Sequence, residues 1–349
     1  MSASVNVLDH PATAAWQSVS GTQVVAERID MLQADTKKRR WVWRMFLCGP
    51  EGRSIIAKRC KIPEARREYD VYQHILPSLP LLPVRCHGYL EDHLEQRLAW
   101  VFMEDVGSDE PYSSEDPEQR RLVGHWLGIL HISGGQIPEK DRNLLRDRGP
   151  DHFRLYLDHS IGAIPSVRGN NNLSDSHRVL LNEILQQCYY VDAHWPELVQ
   201  YCEQMPKGMV HGDFKDDHVS WHTSPNGRIL RLIDWNEAGW GIPALDLFSF
   251  LGHSSDPDPN AYVLAVRRAW PVMNQEELYR MAVVGELFRV LASLRWEVDN
   301  LQYPWVTRPM ATLGIYRDWL AQIIDLAPWS GERTLFQRRR ATKSVMSKK

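Results

Sequence analysis

"MVHGDFKDDHVSWHTSPNGRILRLIDW", from Met209 to Trp235, is the stretch that decides how the rest of the chain is read. Asp213 is followed five residues later by His218 and twenty-one residues later by Asp234. Between them "HVSWH" and "RILRLIDW" read as short strands flanking "TSPNG", in which Asn226-Gly227 is a strong signal for a tight turn. If the strands pair, Asp213 and His218 precede the first and Asp234 ends the second, so all three converge at one end of the ribbon. Two carboxylates and an imidazole gathered in this way suit a divalent metal or acid–base chemistry, because each can neutralise charge or accept a proton. Taken singly, each has a structural reading: Asp213 as a turn cap, His218 as a strand residue, Asp234 as a strand-end turn former. Their matched spacing favours chemistry.

The chain around this stretch is 349 residues long and 43% hydrophobic, enough for one large or two modest domains. Its 41 Lys and Arg nearly balance 44 Asp and Glu, so it carries no general basic field for nucleic acid or a membrane surface. An anionic ligand must be held locally. The five cysteines, Cys48, Cys60, Cys86, Cys188 and Cys202, form no CxxC and no metal spacing, and read as buried free thiols of a reducing compartment. "MSASVNVLDHPATAAW" has neither the basic nor the apolar region of a secretory leader, and no stretch is apolar enough to span a membrane. The expected location is cytoplasmic, with the protein a monomer or homodimer.

Residues 1–24 are polar and patternless and are expected to be flexible, as is the basic tail over 333–349. From Trp41 the alternation in "WVWRMFL" puts Trp41, Trp43, Met45 and Leu47 on one face; "CGPEGR" supplies a turn and "SIIAKRC" a second strand. "IPEARREYDVYQHIL" follows at helical spacing, and "RLAWVFMEDVG" reads as an apolar strand that breaks into an acidic turn. Residues 25–105 are therefore a small antiparallel sheet with one helix, 106–112 a linker, and 113–332 a mainly helical part interrupted by the opening hairpin. Its helices include "RRLVGHWLGILHISG", "SHRVLLNEILQQCYYVDAHW" and "YRMAVVGELFRVLASLRWEVDNL". The chain has no internal repeat at a fixed period.

"HGDFKDDHV" (His211 to Val219) and "IDWNEAGWGIPALDLFSF" (Ile233 to Phe250), with its trailing G-x-P-x-x-D, resemble the catalytic loop and metal segment of the aminoglycoside phosphotransferase and choline kinase-like group. The resemblance covers roughly residues 25–330. It implies an α+β, protein-kinase-like fold with a small antiparallel-sheet lobe and a larger helical lobe. It also implies that Asp213 orients and deprotonates the acceptor hydroxyl, while Asp234 holds Mg2+, or Mn2+, against the phosphates of ATP or GTP. His218 stands where most of the group has Asn, as in macrolide-phosphorylating relatives; it makes the second metal contact a nitrogen, a softer choice than magnesium prefers. His211 would brace the loop. Lys58 resembles the strand lysine that meets the phosphates, and Glu68, ten residues on, the helix glutamate that orients it. In "VFMEDVG", Met103 would back the base while backbone groups of Glu104 and Val106 bind its edge; the side chains of Glu104 and Asp105 are expected to be solvated.

Two features stand apart from this pattern. "DMLQADTKKRRW", before the first strand, has no glycine where protein kinases place a Gly-rich phosphate loop. The run Lys37, Lys38, Arg39 and Arg40 either substitutes for it by charge or is a solvated charge run. On the acceptor side, Glu237, Glu286 and Trp296 are candidates; Glu286, Arg289, Ser293 and Glu297 recur at helical intervals as a polar stripe or simply a wet helix face. Trp235, Trp240, Trp296 and Trp305 read as core before they read as an aromatic wall. Two functions follow: a kinase phosphorylating a small hydroxylated molecule such as an antibiotic, amino alcohol or sugar, or a catalytically silent kinase-like protein that binds a nucleotide or partner.

Overall fold

The computed structural model describes residues 7–93, 95–107, 112–113, 115–224, 227–248 and 256–327. The basic tail, part of the 106–112 linker and the Asn226 side of the hairpin turn lie outside them. In chain order the regular elements are α1 (Pro11–Ser20), β1 (Ile29–Asp35), β2 (Arg40–Met45), β3 (Ile55–Lys61), α2 (Ile62–Asp70), β4 (Cys86–Glu91), β5 (Leu98–Glu104), α3 (Pro117–Gly134), α4 (Glu139–Arg142), β6 (Arg146–Arg148), α5 (Pro150–Val167), α6 (Asp175–Ala193) and α7 (Trp195–Glu203). They continue through β7 (Gly208–Val210), β8 (Val219–Ser224), β9 (Gly227–Leu232), β10 (Gly239–Gly241), α8 (Ala244–Leu247), α9 (Pro259–Val266), α10 (Gln275–Asn300) and α11 (Thr307–Leu326).

The chain divides into two compact units. The first comprises Met1–Ser113, Ile137–Arg146 and Asp213–Ala238. Its centre is a five-stranded antiparallel sheet in the order β1-β2-β3-β5-β4. Period-two alternation sorts its side chains: Trp43, Met45, Ile55, Ala57, Trp100 and Phe102 form a buried layer on one face. Val42, Ile56, Lys58 and Met103 turn to the other, where they line a cleft. Register places Val42 opposite Lys58 and Lys58 opposite Val101. Leu47 does not join the apolar face; the chain leaves the strand at Met45, and Leu47 sits in the following turn at φ 57°, exposed.

The N-terminal stretch expected to be flexible is in part a helix. α1 buries Ala12, Ala15 and Trp16 against the apolar layer, and the Trp16 indole N–H donates to the Cys48 carbonyl at 3.0 Å. Pro11 at its first position, the His10 ring capping Ala12 N–H, and Gly21 in the left-handed region at its end all mark a helix. β1 is an edge strand with exposed Met31 and Leu32 and a bulge between Met31 and Gln33, so it lacks the alternation that would reveal it.

The β8–β9 ribbon also belongs to this first unit, although the expected division placed it with the helical part. Its register runs from Val219 opposite Leu232 to Ser224 opposite Gly227. Side chains hold it to the sheet: Arg231 meets Glu104 at 3.0 Å, and the Ser220 hydroxyl donates to the Gly107 carbonyl.

The second unit comprises Ser114–Gln136, Asp147–Gly212 and Gly239–Lys349 and is mainly helical. α10 is buried on every side from Met281 to Phe288, as a central core helix must be, and on one face only beyond that. Phe288 stacks on Phe153 of α5 with ring centroids 4.4 Å apart. β7 pairs with β10 in a short antiparallel ladder, Val210 opposite Gly239, that delivers the chain to the His211–Asp213 turn. Trp235 of the first unit is buried, whereas Trp296 and Trp305 of the second are 47% and 43% exposed, so the core reading fails for those two. Trp305 instead stacks on Tyr303. All five cysteines are buried and unbridged. Among the described residues no helix is long and apolar enough to cross a membrane.

Candidate active site

β3 delivers Lys58 and α2 delivers Glu68 to one point, and both side chains are almost fully buried there. The Lys58 ammonium lies 2.6 Å from Glu68 Oε2 and 2.6 Å from Asp234 Oδ1. Two residues far apart in sequence therefore meet on one cation. Burial works against the charged lysine, but Glu68 and Asp234 outweigh it and hold Lys58 above its ordinary pKa. Burial likewise opposes ionisation of Asp234, yet Lys58, His218 and Arg40 hold its carboxyl well below the usual carboxylate range. Asp234 is thus a fixed anion.

Its backbone is constrained as well. Asp234 has φ 65° and ψ 60°, left-handed for a residue with a Cβ, a conformation that persists only where surroundings impose it. Those surroundings are the Ile233 N–H donating to the His218 carbonyl at 3.0 Å and the Asn236 amide donating to Asp234 Oδ1 at 2.6 Å. Asp234 Oδ2 faces His218 Nε2 at 3.4 Å and Arg40 Nη1 at 3.5 Å.

His218 reports its own tautomer. Its Nδ1 is 2.9 Å from the Asp213 carbonyl, which can only accept, so Nδ1 carries a proton. In the neutral ring Nε2 is then the acceptor nitrogen, directed at a carboxylate oxygen. With a proton on Nε2 the imidazolium pairs directly with that oxygen, which is how His218 helps hold the Asp234 charge; without it the two atoms face each other favourably only across a shared cation. Among the described residues no three His, Cys, Asp or Glu could hold a metal by themselves. A pair completed by phosphate oxygens is the arrangement magnesium-type nucleotide sites use.

Asp213 follows Gly212, which takes φ 78°, a left-handed turn that glycine adopts without strain. Its side chain is 44% exposed, with Lys215 Nζ 3.4 Å from Oδ2. His211 and Gly212 are held by Asp246, the last residue of the G-x-P-x-x-D pattern. Buried Asp246 accepts the His211 N–H at 2.7 Å and the Gly212 N–H at 2.8 Å, and takes a third contact from His131 at 3.1 Å. Tyr262 completes the chain at 2.9 Å from His131 Nδ1. Burial opposes this carboxylate's charge too, but the imidazole and backbone donors lower its pKa. The brace expected of His211 thus runs through its backbone N–H.

Lys58, Glu68, Asp213, His218 and Asp234 line one cleft of about 570 Å³, with Met103, Glu104 and Val106 also on its wall. That volume suits a nucleotide-sized ligand. Glu104 N–H is already used by the Arg85 carbonyl at 2.8 Å. Among the described residues no carbonyl accepts from the Val106 N–H. The acidic side chains here are not solvated as expected: Glu104 pairs with Arg231, and Asp105 takes Arg44 bidentately at 2.7 and 3.2 Å. The basic run splits, with Lys38 and Arg40 lining the cleft and Arg39 turned to Glu95 at 2.8 Å.

Of the three acceptor candidates, Glu237 lies in the first unit and Glu286 and Trp296 in the second. Glu237 pairs with Arg146 at 3.2 Å in the first unit. In the second unit Glu286 is buried and bound bidentately by Arg289, and Trp296 is exposed on the same helix.

A family model described as the phosphotransferase enzyme family matches residues 40–281. No curated protein matches the sequence. Among solved structures, a GDP complex of a mutant aminoglycoside 2'-phosphotransferase-IIIa is 12% identical with a TM-score of 0.63, over 90% of this chain and 98% of that one. The streptomycin-ATP ternary complex of APH(2")-IIa is 15% identical with a TM-score of 0.57, over 91% and 97%. An ethanolamine kinase of Plasmodium vivax is 11% identical with a TM-score of 0.55, over 85% and 82%. At these identities the likeness is one of fold, the kinase-like fold expected from the sequence.

Proposed function

This chain belongs to the phosphotransferase enzyme family, and from that premise we propose that it transfers the terminal phosphoryl group of ATP or GTP to a hydroxyl of a small molecule. The observation that carries the reading is Lys58 held between Glu68 and Asp234, 2.6 Å from each, on the wall of a cleft that Asp213 also lines. Phosphoryl transfer needs an in-line acceptor oxygen and positive charge on the nucleotide oxygens, and little covalent help from protein. Lys58 supplies charge to the phosphates from a position Glu68 fixes. Asp213 Oδ accepts the hydroxyl proton as that oxygen attacks phosphorus. The Val106 N–H and the Glu104 carbonyl hold the edge of the base, the Glu104 N–H being taken by the Arg85 carbonyl, and Met103 packs behind it.

The donor pair of His218 Nε2 and Asp234 Oδ2 fits a divalent ion, which would neutralise charge on the phosphates when bound. Because one donor is an imidazole nitrogen, Mn2+ is expected to bind the protein–nucleotide complex more tightly than Mg2+. His218→Asn is expected to shift that preference toward Mg2+. Titrating each ion while reading nucleotide affinity checks this; equal preference in both proteins would contradict it.

The acceptor we propose is a cationic hydroxylated molecule such as an antibiotic, amino alcohol or amino sugar. The structural neighbours include complexes with streptomycin and with ATP or GDP, and an ethanolamine kinase, which agrees with that class. We place the activity in the cytosol, where five unpaired thiols stay reduced. The test is a panel of hydroxylated acceptors with ATP and GTP, read by product mass. A product 80 Da heavier (about the mass of one added phosphoryl group) that needs Asp213 supports the kinase. Nucleotide binding with no turnover on any acceptor supports the silent, binding-only alternative.

A further inference from the structure

We infer that Arg40 is a phosphate-binding residue, its guanidinium gripping the terminal phosphates where a glycine-rich loop would otherwise offer backbone N–H groups; the inference rests on the kinase reading above. Arg40, Val42 and Arg44 alternate along β2 onto the cleft face. Arg44 lies at the base end, on Asp105, and Arg40 at the other, beside Asp234. Four strand residues span about 13 Å, roughly the reach from a bound base to its phosphates.

Arg40 is buried but loosely held. Its side chain is only 13% exposed, yet its contacts to Asp234 and Glu64 are 3.5 and 3.4 Å, longer than well-made guanidinium–carboxylate bonds. Its Nε is buried without a hydrogen-bond partner. A desolvated guanidinium with a spare donor is poised for an incoming anion, and its planar fork matches two phosphate oxygens at once. Lys58 is engaged by two carboxylates at 2.6 Å, so it alone does not balance the charge of a nucleoside triphosphate. The turn before β2 offers no glycine, and its Arg39, at φ 55°, points to Glu95. With Arg40 on phosphate, Asp234 Oδ2 would be left to His218 Nε2, the pair that would hold a divalent ion.

The test is calorimetric titration of the full chain and of Arg40→Gln and Arg40→Lys with adenosine, ADP and ATP, and with guanosine, GDP and GTP, in Mn2+. Arg40→Gln is expected to weaken triphosphate binding roughly ten-fold or more. Nucleoside binding should stay unchanged and Arg40→Lys should recover part of the loss. Melting of each protein without ligand separates this from misfolding. Triphosphate binding equal to wild type in Arg40→Gln, or an equal loss for nucleoside and triphosphate, overturns the inference alone. Wild-type protein that binds neither series overturns the kinase reading and the inference with it.

Discussion

Asp213→Asn is expected to lower turnover by about 10²–10⁴-fold while leaving nucleotide affinity nearly unchanged. The substitution keeps the shape of the side chain and the backbone carbonyl that fixes His218, and removes only the base. Asp213 is the least buried of the acidic residues assigned a role in transfer, with 44% of its side chain exposed. It lies where an acceptor hydroxyl can arrive from solvent. Single-turnover product formation beside nucleotide titration checks the split; a matching fall in affinity would mean that Asp213 supports the nucleotide rather than the acceptor.

Asp234→Asn is expected to act on everything at once. Among the described residues Asp234 is the carboxylate that Lys58, Arg40 and His218 all face, and removing its charge leaves Lys58 to Glu68 alone and Arg40 to its 3.4 Å contact with Glu64. Truncating one partner of a buried charge pair costs about 2–5 kcal/mol, so both the melting temperature and metal–nucleotide affinity should fall, with turnover lost. The pH dependence has a definite sign. Asp234 is held below its ordinary value of 3.8, so its stabilising charge is complete above that value and disappears as pH falls through the lowered pKa. Lys58 is held above 10.5, so its share is complete below that value and disappears only as pH rises through the raised pKa. The part of the melting-temperature difference between wild type and Asp234→Asn that comes from Asp234 and Lys58 should therefore be flat from roughly pH 5 to 9 and close in acid. A difference that changes near neutrality would point to another titrating group.

The elements with strong periodicity were legible in the sequence: the β2–β3 pair, α2, the apolar β5, and the helices α3, α6 and α10. The ribbon pattern also placed Asp213, His218 and Asp234 at one end of a hairpin, while Lys58 and Glu68 were singled out only by the family resemblance; all five line one cleft. What escaped was held by tertiary context. β1 is a polar edge strand whose partner is only on one side. α1 has a single large apolar residue, Trp16, and becomes a helix worth burying only against the completed sheet. The pairing of Arg44 with Asp105 and of Arg231 with Glu104 joins residues 61 and 127 positions apart, a distance no local pattern reveals. Asp246 was visible as a motif letter, but its task depends on a fold that sets it under two backbone N–H groups 34 and 35 residues earlier.

That arrangement makes the turn before Asp213 part of the protein interior in thermodynamic terms. Opening His211 and Gly212 by themselves would strip two donors from an anion with no access to water. The segment can therefore exchange its amide hydrogens only when the helices carrying His131, Asp246 and Tyr262 open with it. His211 and Gly212 thus share the rigidity of the deepest part of the helical unit while belonging to no helix or strand.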